Sequence, residues 1–245
     1  MTNLGHVVGS GSHDYSAIYD PDTDFDAWYT RSTVALIRPY LRPGDGVLEL
    51  GCATGLMTSL LAPAGVAITG IERSVEYLAL ARARSLSNST FIEADLATYE
   101  TTDRFDHVLA TNLLDEFDDP TWLLRRIAGW LAPRGLLHAT VPNPDSIHRL
   151  AAIAEGMIDD TSVLSERAVR FGTCRVWPAD AFRDLAAASG LEVVATGGVT
   201  LKPYPNAVMA RLPQAALDGL ARAAELLPDY AALHYTVFGR IGDRK

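Results

Sequence analysis

With 245 residues, 48% of them hydrophobic and 21% charged, the chain has an ordinary globular composition and enough length to bury one good core. The balance of 21 Lys plus Arg against 30 Asp plus Glu, a formal net charge of -9, repels a polyphosphate backbone and disfavours nucleic acid as a partner. The two cysteines, Cys52 and Cys174, lie far apart without metal-ligand spacing, which leaves no cysteine metal site and fits a reducing cytoplasm.

Met1 to Ser16 lacks the basic segment and apolar core of a secretory signal, so a cytoplasmic location is expected. Gly9 to Ser16 reads as a flexible start. Phe25, Trp28, Tyr29, Ala35, Leu36 and Leu41 then recur as on a helix, which makes residues 1–42 an N-terminal helical extension. Alternation follows: strand Val47 to Leu50, helix Leu56 to Leu61, strand Ala67 to Ile71, helix Val75 to Leu86 and strand Thr90 to Ala94. It continues with strand Asp106 to Thr111, helix Thr121 to Leu131 and strand Gly135 to Val141, closing a core over residues 43–143. Residues 144–190 read as a helical lid and substrate region, helical through Arg170 and again near Ala179 to Ala188. Residues 191–245 supply strand Glu192 to Thr196, helix Gln214 to Leu227 and a last strand Leu233 to Gly239. Cys52 to Ile71 is an uncharged run of membrane-like length, but Thr54, Gly55, Thr58, Ser59, Pro63, Gly65 and Thr69 break it into helix, turn and strand, so no membrane partner is expected. The expected fold class is α/β: one doubly wound, mostly parallel seven-stranded sheet with an antiparallel last strand.

The stretch "ELGCATG" sits where the first strand of such a fold delivers its turn to the ligand crevice. Gly51 and Gly55 let backbone approach a ligand, and the helix from Leu56 presents its amino terminus to it. A dinucleotide turn would read G-x-G-x-x-G, but Ala53 holds the middle glycine position and Leu56 the last, which argues against a pyrophosphate. Glu72 ends the second strand and Asp95 follows the third. The first suits both hydroxyls of a ribose; the second suits an adenine amine, with Leu96 covering the ring.

These motifs resemble the class I S-adenosylmethionine-dependent methyltransferases. Glu49, Gly51, Ala53 and Gly55 resemble the family's acid-x-G-x-G-x-G turn with alanine at the middle glycine. Glu72 resembles its ribose acid, Asp95 its adenine-side acid, and "FDHVLATNLLDEFDDP" its fourth-strand motif, whose end faces the methionine part and the substrate. "WLAPRGLLHATVPN" resembles the turn and fifth strand. The resemblance covers about Arg38 to Asn143 and implies S-adenosylmethionine as cofactor. Its candidate contacts are Glu49, Gly51, Cys52, Ala53 and Gly55 from the turn, Glu72 and Arg73 from the second strand end, and Asp95 and Leu96 from the third. Asn112 and Leu113 at the fourth strand end and Tyr19 in the extension complete the set.

Methyl transfer needs nucleophile and methyl held at near-attack distance, and a base only for a protonated acceptor. His148, just past the fifth strand, is the candidate catalytic base, while His138 inside a strand reads as buried structure. Asp115, Arg149 and Tyr15 are the candidate substrate contacts. Tyr15, Tyr19, Trp28 and Tyr29 could close over the cofactor or simply pack. Asp115, Glu116, Asp118 and Asp119 could attract a cationic amine or open a helix at Asp119-Pro120. Arg167, Arg170 and Arg175 could bind a substrate carboxylate or phosphate, or form a solvated face. The expectation is transfer to N or O of a small-molecule acceptor, with a homodimer left open. The alternatives are a protein or RNA methyltransferase, and a repurposed cofactor-binding member with cyclase-like or regulatory chemistry.

Overall fold

The computed structural model describes residues 15–243; the stretch before Tyr15, with most of the expected flexible start, lies outside them. The elements in order are α1 (Asp26–Ile37), β1 (Gly46–Leu50), α2 (Leu56–Leu61), β2 (Ala67–Glu72), α3 (Val75–Ala83), β3 (Ser89–Glu93), β4 (Phe105–Thr111) and α4 (Thr121–Trp130). Then come β5 (Leu131–Pro142), α5 (Ile147–Ala154), α6 (Glu166–Arg170), α7 (Ala179–Ala187), β6 (Leu191–Val199), α8 (Asn206–Met209), α9 (Gln214–Leu226) and β7 (Leu233–Arg240).

One sheet of seven strands runs in the order β3-β2-β1-β4-β5-β7-β6. The first five are parallel, and β7 lies antiparallel to both β5 and β6. The chain winds outward from β1 to β3, then restarts at β4 and winds the other way, so a crevice opens beside the carboxyl ends of β1 and β4. Apolar residues fill both faces of the central strands, as covered parallel sheets require. Leu48, Val108, Leu137 and Phe238 pack under α4 and α7 with Leu123, Ile127 and Phe182. Val47, Leu109 and Val237 pack under α1 and α2 with Ile37 and Leu61.

Departures from the sequence reading have local causes. α3 stops at Ala83, short of Leu86, where Ser85 takes a left-handed φ of 52°. β5 starts at Leu131 and not Gly135; a Cβ at Gly135 would lie 2.8 Å from the Phe105 carbonyl oxygen, so only glycine lets these strands approach. The region expected as a lid, residues 144–190, is helical at α5, α6 and α7, the last where helix was expected near Ala179 to Ala188, but the chain between α5 and α6 is irregular and not helical. His138 is fully buried in β5, as expected. Its Nε2 lies 3.0 Å from His107 Nδ1 and its Nδ1 2.7 Å from the Tyr235 hydroxyl, which joins β4, β5 and β7. Burial, then the neighbouring His107, pulls the His138 pKa down to about 3, so the pair stays neutral. Among the described residues no helix is long and apolar enough to cross a membrane.

Candidate active site

The turn after β1 holds Gly51 at φ 68° and Gly55 at φ 72°. At Gly51 a Cβ would find Leu113 Cδ1 at 3.6 Å and nothing nearer, so the left-handed φ selects glycine there and the space beyond stays open. At Gly55 a Cβ would reach 3.2 Å from both Ala81 Cβ and Phe91 Cζ, so there the packing of the turn against α3 and β3 adds a second demand. Glu72 ties the turn to β2. Its Oε2 accepts the Ala53 N–H at 3.0 Å and its Oε1 the N–H groups of Arg73 and Ser74, each at 2.8 Å. Three of about four lone-pair sites are thus filled, and one remains for a ligand.

A cavity of 470 Å³ occupies the crevice, within the range of about 300–1,000 Å³ usual for small-molecule sites. Gly51, Ala53, Glu72, Arg73, Asp95, Leu96, Asn112 and Leu113, all candidate cofactor contacts, line one half. Glu49, Cys52 and Gly55 do not line it. Glu49 is buried below the turn, where it accepts the Thr58 hydroxyl at 2.5 Å; burial raises its pKa to about 7. Cys52 packs against Gly70, whose Cβ position lies 2.8 Å from Sγ, and burial pushes its thiol pKa up. Asp95 is exposed, with Oδ1 accepting the Ala97 N–H at 2.7 Å. Asn112, at φ 51°, is pinned to β5 by its N–H on Thr140 Oγ1 at 2.9 Å.

The other half gathers Asp115, Glu116, His148, Arg149 and Lys202. Asp115 Oδ2 accepts from Thr173 at 3.1 Å, while Oδ1 is buried without a hydrogen-bond partner. Burial raises the Asp115 pKa to about 6. Burial, then the Asp115 charge, raises Glu116 to about 8 against the pull of Arg73. Burial, then Lys202 and Arg149, lowers His148 to about 3, and its Nδ1 is buried without a partner. Arg149 Nη1 donates to the carbonyls of Thr161 and Val163 at 2.6 and 2.8 Å, which pins the irregular chain between α5 and α6.

A third wall comes from both ends of the lid and the extension. Tyr15 and Tyr19 meet the Phe171 ring at 5.5 and 5.0 Å. The Tyr77 hydroxyl holds the Tyr19 carbonyl at 2.7 Å, and Arg167 Nη2 reaches Asp24 at 3.0 Å and Asp26 at 2.7 Å. Tyr29 lines the cavity, whereas Trp28 turns away to donate to Thr200 at 3.4 Å. Of the three arginines singled out, Arg167 lines the cavity, while Arg170 and Arg175 lie against Phe171 and Trp177 outside it. Asp26, Phe171, Lys202 and Asn206 line it without having been singled out in the sequence. The one signal for Lys202 was composition: the chain has two lysines, Lys202 and Lys245, beside nineteen arginines.

Sheet order, glycine turn and strand-end acid together define a Rossmann-like methyltransferase. The sequence matches the methyltransferase-domain family over residues 27–196, and the chain belongs to that family, of the class I S-adenosylmethionine-dependent type. It is 32% identical over 106 residues to (S)-coclaurine N-methyltransferase of Thalictrum flavum subsp. glaucum, which covers 41% of this chain and 29% of that one. It is 32% identical over 121 residues to a ubiquinone biosynthesis O-methyltransferase of Xanthomonas campestris pv. campestris, covering 47% and 48%. The aligned part thus spans less than half the length of these relatives. A solved S-adenosylmethionine-dependent methyltransferase of Mesorhizobium loti superposes with TM-score 0.60 at 18% identity, over 85% of this chain and 98% of that one. The cyclase SpnF superposes with TM-score 0.61 at 22% identity, over 91% and 85%. At these identities the likeness is one of fold.

Proposed function

We propose that the chain transfers the methyl group of S-adenosylmethionine to N or O of a small molecule. One observation carries this reading: a single cavity runs from the glycine turn and Glu72 to Lys202 and is walled by the extension and α6. An acceptor would sit in a recess and not on a flat surface, which suits a small molecule better than a protein or RNA surface. The net charge of -9 argues in the same direction. The residues fit the cofactor. Gly51 leaves open the space a side chain would fill, and Glu72 keeps one lone-pair site for a ribose hydroxyl. Asp95 offers an exposed carboxylate for the adenine amine, and Leu96 an apolar face for its ring. When bound, the cofactor supplies an electrophilic methyl on a sulfonium.

The chain's own residues orient the acceptor, exclude water and take a proton where the acceptor carries one. Tyr15, Tyr19 and Phe171 wall off solvent. Glu116 and His148 both line the acceptor half of the cavity and are the candidates for proton removal. Burial raises Glu116 to about 8 and lowers His148 to about 3, which favours Glu116 as the base once it is ionised. His148 then acts as a neutral hydrogen-bonding group.

The SpnF likeness keeps cyclase-like chemistry as a second reading, because a shared fold does not fix the reaction. The test is calorimetric titration with S-adenosylmethionine and S-adenosylhomocysteine, followed by mass spectrometry of a metabolite extract incubated with enzyme and methyl-labelled cofactor. Binding and a labelled small product are expected. Binding with cofactor unconsumed and an unlabelled rearranged product would favour the second reading, and no binding would overturn both.

A further inference from the structure

Val199 of β6 pairs with Leu233 of β7, and Leu233 with Pro142 of β5, so the chain just after β6 emerges beside the carboxyl end of β5. Lys202 lies there, half-buried in the cavity wall. It makes no hydrogen bond or ion pair with another described residue, although Asp26 is close enough to favour its charge. A cation left so in a cavity wall is short of a counter-charge. Its surroundings show how much is missing. The charges that act on Lys202 are those of Arg149, Arg167 and Asp26, and Arg167 is paired with both Asp24 and Asp26, while His148 is neutral. Within this group three positive charges face two negative ones, which leaves room for one anionic group such as a carboxylate. His148 Nδ1, buried without a partner and within electrostatic reach of Lys202, offers a second hydrogen bond to the same group.

This charge lies far from the cofactor's place. Neighbouring strands stand about 4.8 Å apart, so β5 is about 14 Å and β7 about 19 Å from β2, where Glu72 sits. With ribose at Glu72 and adenine at Asp95 beyond it, the nucleoside extends away from Lys202. We propose that Lys202, with His148 and Arg149 beside it, seats a carboxylate group of the acceptor. The proposal rests on the methyltransferase reading and names its substrate class: a small molecule with a nucleophilic N or O and a carboxylate. The rarity of lysine in this chain sets the site apart, since elsewhere the described cations are all arginines. Burial, outweighing Asp26, lowers the Lys202 pKa to about 8, and an anion bound against it would raise that value.

Having two lysines makes the test direct. Protein grown on lysine carrying 13C at Cε and loaded with S-adenosylhomocysteine gives two lysine signals, and the Lys202→Met variant assigns them. Acetate and benzoate, each compared with its neutral amide, serve as probes. The expected result is that both carboxylates, and neither amide, shift the Lys202 signal and raise its pKa. Lys202→Met should weaken both carboxylates at least tenfold, and Lys202→Arg should restore most of that loss, with S-adenosylhomocysteine affinity unchanged in all variants. Equal binding of acid and amide, or full carboxylate affinity in Lys202→Met, overturns the proposal. So does loss of S-adenosylhomocysteine affinity in Lys202→Met, which would assign the charge to the cofactor. If the wild-type protein itself fails to bind S-adenosylhomocysteine, the methyltransferase reading falls first and takes the proposal with it.

Discussion

In the half of the cavity under β1 and β2, the polar contacts that shape the site are short in sequence: Thr58 to Glu49 spans 9 residues and Ala53 to Glu72 spans 19. In the half under β5 and β7 they range far more widely, from Arg149 reaching 12 and 14 residues to Thr161 and Val163 up to Arg167 reaching back 143 residues to Asp24 and Tyr29 reaching forward 177 to Asn206. The first half is a strand-turn-helix unit whose geometry is set by backbone conformation and by one carboxylate on three amides. The second is assembled by tertiary contact between an extension, a lid and the last strands. Under the proposed function, cofactor binding would rest on the locally built part of the molecule and acceptor binding on the part whose pieces must find each other.

Gly51→Val tests the locally built half hardest. A β-branched residue at φ 68° costs about 1–2 kcal/mol in backbone strain, and its methyl groups would project into the open space beside Leu113. We expect S-adenosylhomocysteine affinity to fall more than a hundredfold by calorimetry, with the far-ultraviolet circular dichroism of the wild type. Retained affinity would remove the turn from the cofactor's site.

Glu116→Gln probes the junction of the two halves. For an acceptor that must lose a proton, kcat should fall by about a hundredfold, within the usual range for a general base. The wild-type rate should climb as pH passes about 8, where Glu116 becomes a carboxylate, and the variant's rate should lack that limb. A variant with full rate and the same pH profile would leave positioning as the whole mechanism.

Glu49→Gln tests whether the acid under the turn serves stability. Burial raises the Glu49 pKa to about 7, above its ordinary value of about 4.5, so the folded chain holds a proton that the unfolded chain releases. The protonated group's contribution is fully present below pH 4.5 and is lost as pH rises through 7. Glutamine keeps an acceptor for the Thr58 hydroxyl without the charge. The variant should match the wild type in urea unfolding near pH 4.5 and exceed it by about 2 kcal/mol near pH 7.5. A difference that does not change with pH would mean that the carboxyl ionises freely.

The same division explains what was legible in the sequence. β1, the Gly51 turn, α2 and the acids ending β2 and β3 lie within fifty residues of one another, and their spacing alone fixed their relation. Glu49, Cys52 and Gly55 shared that motif yet face the interior, because a motif marks a turn and not which side chains point to the ligand. Ala132-Pro133 looks like a turn, which hid the first residues of β5. Arg167 reads as one of three arginines that bind a substrate anion or form a solvated face; only the fold brings Asp24 and Asp26 to it. Lys202, in Leu201-Lys202-Pro203, belongs to no motif, and only the pairing of β6 with β7 brings it to the cavity.

Arg167→Ala should give the smallest effect and bears on the assembled half alone. Arg167 is about two-fifths exposed and its two carboxylate partners about a third, so water screens both pairs and each is worth only about 0.2–1 kcal/mol. Global stability should therefore drop by less than about 1 kcal/mol. The pairs nevertheless join α6 to the extension across the cavity, and the guanidinium also lies 4.7 Å from the centre of the Phe171 ring. Losing them lets the two walls separate, which raises acceptor KM several-fold while cofactor affinity, set on the other side of β1, stays put. Because the contact is electrostatic and exposed, added salt should raise the wild-type KM toward that of the variant and leave the variant's own value nearly flat. Equal salt dependence in the two proteins would mean that the lid is held by the rings of Tyr15, Tyr19 and Phe171 alone.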